Sequence, residues 1–479
     1  MGTDQGDVAV GGGGVDRISD LPDDLLHAIL LRLPGGTADA ARTSVLSRRW
    51  RRVWARLPEL SFRYGGGALP VAGSFARAHD RVDSALAAYA APTATRLEIS
   101  LPRGPWSADA PVGRVAPWLR FASQRLAGEL LLSRPYSRDK CEEHELAVPL
   151  CDRVTEIRFN NLGCTLRFPL PAARAFSALA TLNIKHASFD GDELEALVSS
   201  RCPRLKKLFL RHVALLDEAA VLSIRSATLE HLRIKDGSFA RIHVAAPELQ
   251  MLLTYFRFDA RITAPRLSKL CCYNKYGYDP SRHYLAEAGP HLQQLVITLN
   301  NAAALMQRFN TVDELVLGVD ILEGVHEYKR FLKKTHTISK RDVLVVRLWI
   351  VHHALKPTML RLLRKCAGTR KIVVDISSFS IMGHYSGIST GCPCRRPKSS
   401  KTDHMSMDSL EEVEVNHSAG RSIEDTQELV KLLCGCSLKF RKNVTITVLV
   451  EGSQSEHVRR NISSIHAPSN KIEIIVRSK

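Results

Sequence analysis

Leucine recurs through the middle of this chain with a fixed internal spacing, and no other feature limits the fold so tightly. The unit is apolar at its first, fourth and sixth positions. It appears as Leu179-x-x-Leu182-x-Ile184, Leu205-x-x-Leu208-x-Leu210, Leu229-x-x-Leu232-x-Ile234, Leu249-x-x-Leu252, Leu267-x-x-Leu270-x-Cys272 and Leu292-x-x-Leu295-x-Ile297. Val154-x-x-Ile157-x-Phe159 and Val312-x-x-Leu315-x-Leu317 bracket the set, and weaker members start at Ala94 and Ala127. From Val154 to Val312 the starts lie 18 to 26 residues apart, the period of a solenoid in which no unit can bury its apolar face without its neighbours. Each unit reads as a short strand whose fourth and sixth residues enter a core, with the residues between them facing out across a parallel sheet. Steps of 24 to 26 leave room for a helix on the convex side, as at 192–198 with Leu194, Leu197 and Val198 inward; steps of 18 to 20 leave room for irregular chain. The predicted fold class is therefore α/β, a curved parallel sheet with helices on its convex side.

Ahead of the repeats stands a small helical head. Pro22 opens a first helix, with Asp23 and Asp24 in the first turn and Leu25, Leu26, Ile29, Leu30 and Leu33 at helical spacing. Pro34-Gly35-Gly36 stops it, Thr37 is placed to cap a second helix, and Ser47 a third that carries Trp50 and Trp54 on one face. Such a head is either a cap that protects the first repeat or a docking module whose apolar face exceeds its own core.

The formal charge of +18, from 67 Lys and Arg against 49 Asp and Glu, lacks the aromatic platform or recognition helix that nucleic-acid binding needs. Nucleic acid is not an expected partner. Eleven cysteines, several in apolar runs, read as reduced thiols of the cytoplasm or nucleus. No run of 18 apolar residues exists, so no membrane partner is expected. Cys392-x-Cys394 and Cys434-x-Cys436, with His384 and His404, are spaced more tightly than structural zinc ligands, so no metal and no cofactor is expected. Phosphate-binding glycine loops, nucleophile elbows and paired catalytic acids are absent, so no catalytic residue is assigned. Among outward positions, Phe209 and Arg233 are candidates to touch a target, as are the aromatics Tyr255, Phe258, Tyr273, Tyr276 and Tyr278.

The run Ile18-Ser19-Asp20-Leu21-Pro22-Asp23-Asp24-Leu25-Leu26, with Ile29-Leu30 and Leu33-Pro34, resembles the opening of a plant F-box. Thr43-Ser44-Val45-Leu46-Ser47-Arg48-Arg49-Trp50-Arg51, with Trp54, resembles its end. The repeats resemble leucine-rich repeats, and the stretch from about 405 to 450 resembles the FBD-like region of plant F-box/LRR proteins. The resemblance implies a substrate-recognition subunit of an SCF-type E3 ubiquitin ligase, not itself an enzyme. It would dock a Skp1-like adaptor, and through it a cullin and a RING protein, and would hold a protein target on its repeats. Leu21, Pro22, Leu25, Leu26, Ile29, Leu30, Val45 and Leu46 would form or support the Skp1 face, with Trp50 and Trp54 in the F-box core. A non-ligase LRR scaffold, a small-molecule co-receptor and an RNA-associated solenoid remain alternatives. The expected layout is a disordered lead (1–15), F-box (16–60), helical linker (61–93), LRR solenoid (94–380), flexible loop (383–408) and an FBD-like region (409–479) that continues or caps the solenoid.

Overall fold

The computed structural model describes residues 18, 21–64, 74–101, 112–134, 144–169, 175–217, 219, 221–273, 278–299, 302–335, 341–350, 353–365, 368–376, 391–394, 405–417, 423–435, 438–450, 455–465 and 470–478. The expected lead lies outside them, as do Gly65, Gly66 and Gly67 at the start of the expected linker. Two compact units divide the chain, residues 1–188 and 189–479.

The first unit opens with α1 (Asp23–Leu30), α2 (Thr37–Arg42), a 3-10 turn (Thr43–Val45) and α3 (Arg48–Trp54). It continues with β1 (Glu59–Arg63), α4 (Ser74–Ala88), β2 (Ala94–Ser100), α5 (Ala116–Arg125), β3 (Leu126–Ser133), β4 (Glu145–Ala147), β5 (Glu156–Asn160), β6 (Thr165–Arg167) and β7 (Thr181–Phe189). Strands β1, β2, β3, β5 and β7 pair in parallel in that order. Their register stacks Leu60, Leu97, Leu130, Ile157 and Leu182 in one ladder and Phe62, Ile99, Leu132, Phe159 and Ile184 in the next. All ten are buried, and at roughly 1.5–3 kcal/mol per buried side chain these ladders outweigh any surface ion pair. β1 overlaps the start of the expected helical linker, whose helix is α4: Glu59-Leu-Ser-Phe-Arg alternates buried and exposed, and the sheet starts before Ala94. Gly128 sits in β3 with φ +156° beside a register shift, where a Cβ would collide with the Thr95 carbonyl.

The second unit contains α6 (Gly191–Ala196), β8 (Lys207–Leu215), β9 (Val221–Arg225), β10 (His231–Lys235), β11 (Arg241–Ala245), β12 (Met251–Thr254), β13 (Asp259–Thr263), β14 (Lys269–Cys272) and β15 (His283–Ala286). After these come β16 (Gln294–Thr298), α7 (Ala302–Arg308), β17 (Glu314–Ile321), α8 (Val325–Lys334), β18 (Val343–Ile350), α9 (Leu355–Leu363) and β19 (Lys371–Ile376). The last elements are β20 (Met405–Met407), β21 (Glu412–His417), α10 (Ile423–Cys434), β22 (Leu438–Phe440), β23 (Val444–Val450), α11 (Ser455–Ser463) and β24 (Ile472–Ser478). Its main sheet runs in parallel through β8, β10, β12, β14, β16, β17, β18, β19, β21, β23 and β24. Every repeat start from Leu205 onward leads into one of these strands.

A second parallel sheet, β9-β11-β13-β15, fills the other side of four successive repeats. This corrects the expectation of a helix or irregular chain there. Val-Leu-Ser-Ile-Arg and Arg-Ile-His-Val-Ala alternate with a period of two, and that alternation decides for strand. Its inner ladder Ile224, Val244, Ile262 and Leu285 is buried. Helices return with α7 to α11. β20, paired with β22, stands at the end of the stretch expected as a flexible loop over 383–408, and residues 391–394 within it are turns. β21 pairs directly with β19, so the last region continues the main sheet.

Two histidines are sealed in this unit. His283 stacks on Phe256 with centroids 4.5 Å apart, and its Nδ1 accepts from the Asp279 N–H at 2.9 Å. His417 Nδ1 lies 2.9 Å from the Thr426 hydroxyl. Burial lowers the pKa of both. A base whose folded pKa is depressed is protonated more readily in the unfolded chain, so stability is full above the unfolded value of about 6.5 and is lost as pH falls below it. Thermal melts between about pH 5 and pH 8 are expected to show this loss on acidification; stability that rose on acidification would contradict it.

Candidate functional site: an apolar head face and an open sheet face

The head is built from inside out. Leu26 and Leu30 of α1 are 1% exposed, and Trp50, Val53 and Trp54 of α3 are buried with them. The Arg49 guanidinium bonds the Asp23 carboxylate at 2.7 Å and also the Leu21 carbonyl, tying the start of α3 to the start of α1. That hydrogen bond is the main cause that holds the Asp23 carboxyl below its ordinary pKa. His27 Nε2 lies 3.1 Å from the Val53 carbonyl. Neither expected cap bond forms: the side chains of Thr37 and Ser47 make none. Thr37 is instead the first residue of α2, and its hydroxyl accepts from the Ser61 N–H at 2.7 Å. Gly36, at φ +61° with Ser61 close by, lets α2 approach β1. Together with Tyr89 Oη donating to the Leu57 carbonyl at 2.9 Å, these bonds make the head a cap on the first strand.

The same head turns a second face to solvent. Leu25 is 52% exposed, Ile29 44%, Val45 85% and Leu46 64%, and Pro22 is exposed as well. Leu21 is half-buried. The eight residues named to form or support a partner face thus divide: Leu26 and Leu30 are core, under α3, and can only support that face from beneath, while Pro22, Leu25, Ile29, Val45 and Leu46 reach solvent. Ile18 and Leu31, also exposed, extend the apolar face. Trp50 and Trp54 lie in the core as expected.

On the main sheet of the second unit, one face gathers four of the seven candidate target-binding residues. Phe209 and Arg233 are paired in register, and the Arg233 guanidinium lies 5.0 Å from the Phe209 ring centroid. Lys235 Nζ lies 5.1 Å from the Tyr255 ring. Tyr255 and Tyr273 are 6.3 Å apart, and Arg347 donates to the Tyr273 hydroxyl at 3.1 Å. Beneath them Leu253, Cys271, Val296 and Val316 form a buried apolar strip flanked by Met251 and Val345. Burial pushes the Cys271 thiol and the Tyr273 hydroxyl upward in pKa. Val296, which stands between the fourth and sixth positions of its repeat, is buried in this strip and not offered to a ligand.

The remaining candidates lie elsewhere. Phe258 is buried against Phe239 at 4.7 Å, and Tyr278 packs on Phe256 while donating to the His283 carbonyl at 3.1 Å. Both support the second sheet, which corrects their placement on an open face. Tyr276 lies outside the described residues, as do His384, His404 and Cys436. Cys392 and Cys394 meet each other and His353, a residue the spacing argument did not include.

Residues 18–62 match the F-box domain, and residues 115–321 match a family model described as "FBD-associated F-box protein At5g56370, LRR repeats". The chain thus matches F-box and FBD-associated LRR family models over separate stretches, and several plant F-box/FBD/LRR proteins. The F-box match covers α1, α2, α3 and most of β1. Similar Arabidopsis thaliana proteins include F-box/FBD/LRR-repeat protein At2g04230, 29% identical over 46% of this chain and 48% of that protein. Putative FBD-associated F-box protein At5g56400 is 31% identical over 41% and 40%, and putative F-box/LRR-repeat protein At5g02930 is 26% identical over 75% and 72%. The chain spans about half the length of most curated relatives it matches.

Proposed function

We propose that the chain is a non-catalytic adaptor, the target-recognition subunit of an SCF-type ubiquitin ligase. The observation that carries this reading is the exposed apolar face of Leu25, Ile29, Val45 and Leu46 within the F-box match, on a head whose own core is already filled. Water-facing apolar side chains clustered on a rigid element suit a partner surface. A Skp1-like adaptor would cover that face and link the chain to a cullin and a RING protein. A protein target would sit on the open sheet face, around Phe209, Arg233, Tyr255 and Tyr273. Curvature of the sheet, with helices on its convex side, would shape that face. The chain would contribute geometry alone: tethering raises the effective concentration of target beside the conjugating enzyme. The proposed home is cytoplasm or nucleus, a reading supported by eight described cysteines that are all free thiols. Among the described residues no helix is long and apolar enough to cross a membrane.

Co-expression with a Skp1-like adaptor, followed by size-exclusion chromatography with light scattering, tests the reading. A one-to-one complex is expected. A folded chain that elutes alone would overturn it and leave an LRR scaffold without a ligase.

A further inference from the structure

His353 lies between β18 and α9, and its ring faces the segment 391–394. Its Nδ1 is 3.4 Å from Cys392 Sγ and 3.5 Å from Cys394 Sγ, and the two sulfurs are 3.1 Å apart. The other ring nitrogen, Nε2, is 2.9 Å from the Leu322 carbonyl. A carbonyl can only accept, so Nε2 carries the proton and the Nδ1 lone pair points at the thiols. This is the second-shell arrangement that orients a metal-binding imidazole. Both cysteines are buried. Burial pushes the Cys394 thiol up in pKa, and backbone N–H groups of Ala354 and Cys394 offset only part of that.

We propose that Cys392, Cys394 and His353 bind a zinc ion. Two thiolates and an imidazole are the donor set such a soft dication takes. With Zn–S near 2.3 Å and Zn–N near 2.0 Å, tetrahedral geometry puts nitrogen and sulfur about 3.5 Å apart, close to the distances found here. The sulfurs, now 3.1 Å apart, need to spread by roughly 0.7 Å to reach their tetrahedral separation. Two thiolates balance the charge of the ion. Binding releases the two thiol protons to solvent and involves no electron transfer. The fourth position is left to water or to a group of a bound partner. The site fastens segment 391–394 to the start of α9 and to the chain just after β17, joining residues 39 and 41 apart in sequence.

The test uses the full chain, reduced with a non-chelating phosphine and loaded with Zn2+. One zinc per chain is expected to survive desalting, and Cys392→Ser with Cys394→Ser is expected to lose it. His353→Gln, which keeps the side-chain bulk, is expected to weaken zinc affinity at least about a hundredfold, the upper end of what loss of a mere second-shell partner costs. With Co2+ in place of zinc, the sulfur-to-metal absorption band is expected to grow by about half in His353→Cys, which changes two thiolates to three. Far-ultraviolet circular dichroism checks that each variant is folded. Zinc content unchanged in the folded variants would overturn the proposal. So would a reduced wild-type chain that takes up none, or a Cys392–Cys394 disulfide as the stable form in the presence of Zn2+.

Discussion

Replacing Leu25 and Leu46 together by aspartate is expected to abolish binding of a Skp1-like adaptor and leave the fold intact. Both side chains are more than half exposed in the free chain, so a carboxylate there stays in water and the melting point moves by no more than about 0.5 kcal/mol of stability allows. In a complex the same positions would be covered, and two unpaired charges would be desolvated. Loss of one buried apolar anchor costs about 2 kcal/mol or more, so two changed anchors lower affinity about a thousandfold before the charge penalty is added. Titration calorimetry measures this. Undiminished affinity would place the interface elsewhere. The matched change Leu26→Asp acts on a residue that is 1% exposed and is expected to unfold the head itself, so the neighbouring leucines Leu25 and Leu26 separate docking from folding.

The largest effect on stability is expected at Trp118. It is 2% exposed, stacks on His79 with centroids 5.1 Å apart, and donates from Nε1 to the Asp83 carboxylate at 2.6 Å. Arg114 bonds the other oxygen of Asp83 at 2.9 Å and Asp80 at 2.8 Å. The clasp joins α4 to α5 on the first unit. Trp118→Ala removes the ring and leaves a cavity, at a cost of about 3–5 kcal/mol, and leaves Asp83 without one of its donors. For a unit of this size the melting point falls by on the order of 10 °C. Trp118→Phe keeps most of the volume and loses the bond to Asp83, so about 1–2 kcal/mol is expected. Denaturant unfolding distinguishes them; a Trp118→Ala cost below about 1 kcal/mol would show that the helices do not depend on this clasp.

The main sheet is legible in the sequence because each strand carries the same apolar spacing, and parallel pairing aligns like positions. Leu208, Leu232, Leu252, Leu270, Leu295 and Leu315 stand side by side as their pattern requires. The second sheet is also written there, in the alternation of Leu222-Ser-Ile224 and Ile242-His-Val244. Step length was the wrong guide to it: a step says how much chain is available, and alternation says what that chain becomes. The head face was legible as a list of residues and not as a surface. Leu25 and Leu26 are adjacent and equally apolar, and only the position of α3 decides which is covered. For Phe258 and Tyr278 burial follows from a sheet formed by distant segments. The meeting of His353 with Cys392 and Cys394 bridges long stretches of chain with no periodic signal.

The proposed function turns on the outer face of the F-box as the surface that a partner would cover. Hydrogen exchange of the full chain, alone and mixed with a Skp1-like adaptor, reads that surface directly. Slowed exchange is predicted over 23–31 and 43–47, with the strands of both sheets unchanged. Unaltered exchange over these two stretches, while a complex forms through other parts of the chain, would contradict it.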